Sequence, residues 1–372
     1  MSVKLSSFFL FMMLCLSSFS QRFQQFYPSS ITLKSKVGFL IAHRASMAHL
    51  PKKNNIAFEL DFSQQDQSNT AWDRNYKHPL RGVSLMYQDF GNKEVLGQGY
   101  AIFGHTSFPI LQKSKFGFLD FRIGTGLSYI TKRYDLETNP KNNAIGSHIN
   151  GFVNLQFNYN KHFNHWHLGA GIEFSHYSNA ATKVPNLGLN VPSINFNVGY
   201  DIQGRQVYAA NKRKTEPSNH EVMMKDDFHI YGVFTSKQNA AKFNKPKSRP
   251  VYGITAYYSK SLGKRWKLDG ALDLFYNGGN RHYLDTSAYT IPETFQLGLY
   301  FGGSIHFYRA EFIVGVGAYV VSQVSPFGRI YNRLGFRYHF TDNLMGTVAI
   351  KAHFGIADYL EVGVGYKLWK RK

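Results

Sequence analysis

The sequence predicts an all-β fold, a transmembrane antiparallel β-barrel of about 14–16 strands. Three observations support this prediction: repeated segments in which apolar and polar side chains alternate, an N-terminus with the features of a secretion signal, and a distinctive composition. The 372 residues include 32 Phe, 24 Tyr and 33 Gly, and the mean hydropathy is slightly negative at −0.31. The sequence contains no internal apolar run of about 18 residues, which excludes a protein that crosses a membrane with helices.

The alternation is clearest in four segments of the chain. These are 153–159, 268–274, 295–307 and 360–368, in which apolar side chains fall on one face, interrupted by glycine at 270 and 303, and mainly polar or small side chains fall on the other. Residues two apart on a strand share a face, so each strand has one apolar and one polar face. A soluble β-sandwich would also alternate, but the strand length and the secretion signal favour a barrel with lipid outside and polar groups inside.

The first twenty residues predict a secretory signal peptide. Lys4 precedes an apolar stretch from Leu5 to Leu16, and the small residues Ser18 and Ser20 suit cleavage before residue 21. We therefore expect residues 21–372 to form the outer-membrane β-barrel as a single domain. The chain's one cysteine lies inside the signal, so disulfides, thiolate metal sites and a cysteine nucleophile are excluded from the mature protein.

The formal net charge of +20 indicates an anionic partner or a strongly charged loop surface. Export argues against nucleic acid, whereas the phosphates of lipopolysaccharide would attract Lys and Arg in the same way. The charge is spread along the chain, which fits solvated loops equally well. One long polar segment, 203–227, is expected to be a loop or small excursion and not a second domain.

The stretch from Trp166 to Asn190 carries the candidate chemistry. An apolar row of Leu168, Ala170, Ile172 and Phe174 continues, in steps of two, to His176 and Ser178. If the strand persists this far, both polar side chains project toward lipid and lie next to each other on one face. Glu173 falls on the opposite face, toward the lumen.

The following strand supplies a third polar group to the same face. Its outward row is Ile194, Phe196, Val198 and Tyr200, and Asn190 is in phase with that row. An antiparallel hairpin would place Asn190 beside His176. A serine hydroxyl becomes a useful nucleophile when a base accepts its proton, and the base works best when a third group orients it. We therefore assign Ser178 as nucleophile, His176 as base and Asn190 as the group that orients the imidazole.

These residues also resemble a known family. The run His176-Tyr177-Ser178-Asn179-Ala180 followed by Pro185-Asn186-Leu187-Gly188 is similar to the signature of PagL-type outer-membrane lipid A 3-O-deacylases, also called acyloxyacyl hydrolases. The resemblance covers about 30 residues. It implies His176 and Ser178 as catalytic residues and Asn186 as the oxyanion-hole asparagine, and we expect the backbone N–H near Ala181 to assist. The family's third residue is glutamate, and Asn190 stands there instead, so the imidazolium lacks a stabilising carboxylate.

The resemblance implies a serine esterase that removes an ester-linked 3-hydroxyacyl chain from lipid A in the outer membrane of a Gram-negative bacterium. Its expected partners are lipopolysaccharide and membrane lipid. No cofactor or metal is expected, because His306, His353 and the other histidines fall singly on inward positions.

Two alternatives stay open at this stage. Outer-membrane phospholipase A is similar in using His-x-Ser-Asn with an asparagine twelve residues past the serine, which is the separation of Ser178 from Asn190. That enzyme requires calcium, and the sequence near the motif has no obvious acidic cluster to bind it. The second alternative is a non-catalytic porin or structural barrel, in which His176 and Tyr177 would belong to the interfacial aromatic belt.

Overall fold

The computed structural model describes residues 29–65, 75–113, 117–202, 225–238, 247–283, 294–307 and 309–370. The predicted signal peptide lies outside these residues and stays a prediction. Most of the long polar segment, 203–224, also lies outside them.

Within the described residues, sixteen antiparallel strands form two closed barrels. The strands of the first barrel are β1 (Ser30–Gly38), β2 (Asn55–Gln65), β3 (Leu80–Asp89), β4 (Gln98–Lys113), β5 (Gly117–Ile130), β6 (Ile149–Phe163), β7 (Trp166–Ser178) and β8 (Leu189–Asp201). Those of the second are β9 (Asp227–Gln238), β10 (Ser248–Ser261), β11 (Trp266–Asn277), β12 (Phe295–Phe307), β13 (Ala310–Ser322), β14 (Ile330–His339), β15 (Leu344–His353) and β16 (Ile356–Lys370). Short 3-10 helices at Ala45–Met47 and Gly278–Tyr283 lie in loops.

The strand count and the antiparallel fold confirm the prediction, but the strands close differently from the single barrel that we expected. Strand β8 pairs with β1, and β16 pairs with β9, so each set of eight closes on itself. The segment 203–227 therefore runs from the last strand of the first barrel to the first strand of the second. Alternation along a strand reports which face is apolar and carries no information about which distant strand completes a barrel.

The outer faces of both barrels are apolar, as the alternation predicts. On β7, Trp166, Leu168 and Ile172 are exposed, whereas His167 and Glu173 are buried. The second barrel follows the same rule on β12, where Phe295 and Phe301 point outward. Among the described residues, no helix is long and apolar enough to cross a membrane.

Charged side chains occupy the lumen of the first barrel. Arg122 lies 2.6 Å from Glu59 and 3.2 Å from Asp61. Lys36 bridges Glu59 at 2.6 Å and Glu173 at 2.8 Å. Because a buried charge is costly unless it is paired and hydrogen-bonded, this network satisfies the groups that an eight-stranded lumen encloses.

The second lumen combines ion pairs with aromatic rings. Arg333 lies 2.7 Å from Glu361 and 3.1 Å from Asp273, and its guanidinium packs 4.9 Å from the ring centre of Tyr300. Arg337 pairs with Glu311 at 3.2 Å. Such large side chains fill a narrow barrel, in contrast to the water-filled channel expected of a sixteen-stranded porin.

The two ends of the first barrel carry different connections between strands, and the candidate site lies at one of these ends. In the first barrel, Ser30 and Asp201 are paired at one end, here called the terminal end. The opposite end, here called the site end, carries the connections 39–54, 90–97, 131–148 and 179–188. Hydrogen bonds link the barrels at the site end, since Gln238 of β9 donates to the Ala181 carbonyl at 3.3 Å.

Candidate functional site

The candidate site lies where β7 and β8 reach the site end of the first barrel. His176 is directly opposite Asn190 in the antiparallel register, as the hairpin prediction requires. His176, Ser178 and Asn190 are half-buried and share the outward face with the exposed Ile172. The structure therefore brings the three predicted polar groups together on an otherwise apolar surface.

The imidazole of His176 is held by an asparagine, which is held in turn by a second histidine. His176 Nδ1 lies 2.6 Å from Asn190 Oδ1, and an amide oxygen only accepts, so Nδ1 carries the proton. Asn190 Nδ2 lies 3.2 Å from His43 Nδ1, where it donates. These two bonds fix which way the amide points. They leave His176 Nε2 as the unprotonated nitrogen, which is the form a general base needs.

Ser178 accepts hydrogen bonds from donors in the loop that follows it. Asn186 Nδ2 donates to Ser178 Oγ at 2.9 Å, and the Ala180 N–H donates to the same oxygen at 3.1 Å. Asn179 N–H donates to Asn186 Oδ1 at 2.9 Å, which orients the amide so that its NH₂ group faces the serine. Two donors thus converge on one oxygen position, as an oxyanion hole requires.

The predicted role of a backbone N–H near Ala181 in an oxyanion hole stays a prediction. The N–H that reaches Ser178 belongs to Ala180, whereas Ala181 uses its carbonyl to accept from the second barrel. Both alanines have positive φ, +51° and +60°, so the chain turns sharply after the serine. This turn directs the Ala180 N–H back at the hydroxyl.

The ring of His176 is confined on one side by Gly188. A β-carbon at this position would lie 3.0 Å from His176 Cε1, and the residue has φ of +79°. Gly188 N–H also donates to the Ala144 carbonyl at 3.0 Å, which ties the loop to connection 131–148. Glycine therefore allows the loop to pass close to the imidazole.

A small apolar core beneath the site holds the strand end in place. Tyr177, between the histidine and the serine, points inward and is fully buried. Its ring packs 5.1 Å from that of Phe90 and 4.9 Å from that of Phe152. Because Tyr177 cannot turn outward, the side chains on either side of it stay on the outer face.

Among the described residues, Ser178 hydrogen-bonds to Asn186 and Ala180 and not to His176. In a structure without substrate, catalytic hydrogen bonds are often long or poorly aligned. In this structure the serine hydroxyl occupies the point on which the two donors converge. Transfer of the hydroxyl proton to His176 would require the Ser178 side chain to rotate toward the imidazole.

The comparisons with known proteins match both barrels. Residues 57–201 match the family model described as lipid A 3-O-deacylase (PagL). Residues 226–371 match that of the acyloxyacyl hydrolase C-terminal domain. The chain belongs to the PagL lipid A 3-O-deacylase family. It is accordingly a lipid A deacylase, a carboxylic ester hydrolase, and lipid A is its substrate class. The boundary between the two matched segments coincides with the boundary between the two barrels of the deacylase.

Similarity to other proteins is weak. Two solved structures of mutant porins from Rhodopseudomonas blastica illustrate it, one with a TM-score of 0.19 and the other, a triple mutant, with a TM-score of 0.17. Each is 9% identical, and the alignment covers 91% of this chain and 99% of the porin. At these TM-scores the likeness carries no argument about the deacylase. Among curated proteins, no relative matches the sequence.

His43 is the site residue that the sequence did not reveal. It lies 147 positions before Asn190, in the connection between β1 and β2, where no alternation or motif marks it. Only closure of the barrel, which pairs β1 with β8, brings that connection next to the candidate site. Glu173, by contrast, lies in the lumen as predicted and contacts Lys36.

Proposed function

We propose that this deacylase is a serine esterase of the bacterial outer membrane, with Ser178 as nucleophile and His176 as general base. The observation that carries the proposal is the convergence of His176, Asn190, Ser178 and Asn186 on the outer face of the first barrel. Lipid A lies in the outer leaflet, so its acyl chains can reach an outward-facing site by lateral movement within the membrane.

The reaction begins when Ser178 Oγ attacks the carbonyl carbon of the ester that joins a 3-hydroxyacyl chain to the sugar. The hydroxyl proton passes to His176 Nε2, and the carbonyl π electrons move to the oxygen. The tetrahedral intermediate then expels the sugar oxygen, which takes the proton from His176. Water, deprotonated by the same imidazole, hydrolyses the acyl-enzyme and releases a 3-hydroxy fatty acid.

The donors that now bind Ser178 Oγ stabilise the oxyanion. As the serine leaves its resting position, Asn186 Nδ2 and the Ala180 N–H become available to the developing negative charge. A donor of this kind contributes about 3 to 4 kcal/mol to transition-state stabilisation. The Asn179 N–H keeps the Asn186 amide from turning its oxygen toward that charge.

Asn190 supports His176 differently from the carboxylate of a Ser-His-Asp triad. Its oxygen fixes the tautomer and orientation of His176, as a carboxylate would, but it carries no charge to stabilise the imidazolium. His43 compensates for one weakness of an amide, which is that its two ends can exchange. By accepting from Asn190 Nδ2, His43 favours the orientation in which the oxygen faces the base.

The lengths of the connections between strands indicate the proposed orientation of the protein in the membrane. Barrels of the outer membrane have short turns on the periplasmic side and longer loops outside. The site end of the first barrel carries its longer connections, so we place Ser178 at the extracellular side. The chain then leaves β8 and enters β9 on the periplasmic side, which accounts for the long segment between Asp201 and Asp227.

Mass spectrometry of lipid A from cells that express the native protein or Ser178→Ala tests the proposal. The native protein is expected to remove one 3-hydroxyacyl chain, and the variant is expected to leave lipid A intact. Ser261→Ala is the matched control and should behave as native, because Ser261 is a half-buried serine of the second barrel whose hydroxyl donates to the Gly263 carbonyl. Deacylation by Ser178→Ala at the native level would refute the proposed nucleophile. Release of lysophospholipid that stops on calcium chelation would instead indicate a phospholipase.

A further inference from the structure

A second cluster of functional side chains lies at the terminal end of the first barrel. His162 on β6 and His167 on β7 are directly paired across the strands, and both side chains face Asp201 at the end of β8. Nδ1 of His162 lies 2.7 Å from Asp201 Oδ2, and Nδ1 of His167 lies 3.3 Å from Asp201 Oδ1. The three side chains are 2–7% exposed, so the cluster is removed from bulk water.

We propose that His162, His167 and Asp201 bind a divalent transition-metal ion, with Zn²⁺ as the representative cation. Two imidazole nitrogens and a carboxylate oxygen are ligands suited to zinc and similar cations. One potential ligand atom from each of the three residues lies within 4.8 Å of the others. Two ligands at about 2.1 Å from one ion are separated by about 3.0–3.4 Å. The 3.3 Å between His167 Nδ1 and Asp201 Oδ1 lies in this range, and the 2.7 Å between His162 Nδ1 and Asp201 Oδ2 would lengthen on binding.

The contacts that His167 makes support this proposal, in addition to the types of residue in the cluster. Its Nε2 lies 3.1 Å from Thr32 Oγ1, the kind of outer contact that commonly orients a metal-binding imidazole. Its Nδ1 and Asp201 Oδ1 are both buried and face each other at 3.3 Å, and within the described residues neither atom has a second polar partner. Buried polar atoms need well-placed partners, and a cation between the two would be bound by both.

The backbone makes room for this arrangement. Gly199 lies opposite His167 in the register, and a β-carbon there would come within 2.2 Å of His167 Cε1 and Nε2. Glycine therefore lets the imidazole extend across β8 to reach Thr32 and Asp201. A small cavity, lined by polar residues such as His78 and Asp120 and by apolar ones such as Leu80 and Phe118, lies beside His162 of the cluster.

This site is separate from the deacylase site. His167 and Ser178 lie eleven residues apart on β7, which corresponds to roughly 36 Å along a strand. A metal at the terminal end would join the β6–β7 turn to the last residues of β8, just before the chain passes to the second barrel. Its expected effect is on the stability of the first barrel and not on ester hydrolysis.

Titration of the chelator-treated full-length protein in detergent with Zn²⁺, followed by calorimetry, tests the inference. We expect one Zn²⁺ per chain and at least tenfold weaker binding in Asp201→Asn. Thr32→Val, which removes only the outer contact, should weaken binding by about tenfold. His165→Ala is the matched control, because this exposed histidine of the same turn supplies none of the three proposed ligand atoms. Its ring contacts the Asp201 carbonyl and stacks on Tyr200, and Zn²⁺ binding by the variant should equal that of the native protein.

Spectroscopy of the native protein with Co²⁺ keeps the test independent of how the variants fold. Bound Co²⁺ should show visible ligand-field bands and magnetic coupling to imidazole nitrogen, and one equivalent of Zn²⁺ should displace it. Absence of binding to the native protein would overturn the inference. Equal binding by the native protein and a folded Asp201→Asn would overturn it as well, since the ion would then lie elsewhere. Reduced stability of the variants without any metal binding would identify a buried ion pair instead.

Discussion

Replacing Asn186 separates its proposed catalytic role from its structural role. The side chain makes two kinds of contact: Nδ2 donates to Ser178 Oγ at 2.9 Å, and Oδ1 accepts from the Asn179 N–H at 2.9 Å. In Asn186→Ala both are lost. Loss of one oxyanion donor costs about 2.7–4 kcal/mol, which corresponds to a fall in kcat of about 10²–10³.

Asn186→Asp keeps the structural contact and removes the catalytic one. A carboxylate still accepts from the Asn179 N–H, so the loop should retain its conformation, but it places a negative charge where the oxyanion forms. We expect kcat to fall at least as far as in the alanine variant. By contrast, the structural bond alone is worth about 1 kcal/mol of stability.

The assay is steady-state release of 3-hydroxy fatty acid from lipopolysaccharide in mixed micelles, with folding of each variant checked by circular dichroism. Asn179→Ala is the matched control, because it alters an asparagine in the same loop and leaves the backbone N–H in place. Its kcat should fall only a few-fold. If a folded Asn186→Asp kept more than a tenth of the native kcat, the assignment of Asn186 to the oxyanion hole would be refuted.

Three further predictions concern the base, its support and the second barrel. Gly188→Ala should lower kcat at least tenfold, because the added methyl group would contact the imidazole of His176. Gly263→Ala is the control and should leave kcat unchanged, because Gly263 has φ of +110° but open space around it. Equal kcat values for the two variants would contradict this prediction. His43→Ala should lower kcat about three- to tenfold, the worth of one hydrogen bond, and an unchanged kcat would remove His43 from the site. Arg333→Met removes the ion-pair partner of two buried carboxylates and should lower the free energy of unfolding in urea by about 3–5 kcal/mol. The exposed Arg309→Met should lower it little, and similar urea midpoints for the two variants would contradict the lumen network.

The sequence predicts the local features of this protein well. Alternation identifies which face of each strand is apolar, and the same phase places His176 and Ser178 outward and Glu173 inward. The pairing of His176 with Asn190 follows because a short hairpin leaves few registers that keep both outward rows in phase. These features depend on residues near one another in the chain.

The features that the sequence does not predict depend on closure over long distances. The pairing of β1 with β8 divides the sixteen strands of the described residues into two barrels and also brings His43 to Asn190. Bulky charged residues such as Arg122 and Arg333 fall on lumen positions in both halves and fill the two narrow lumens. Charged lumen positions are equally expected in a wide, water-filled barrel, so they do not distinguish one barrel from two.

The proposal that Ser178 is an activated nucleophile on the outer face is tested most directly by covalent labelling. The purified protein in detergent is treated with a fluorophosphonate, and the intact mass and the labelled peptide are determined by mass spectrometry. We predict one adduct per chain on Ser178, and at least a hundredfold slower labelling in His176→Ala. Labelling of a different serine, or an equal rate in the His176→Ala variant, would contradict the proposed mechanism.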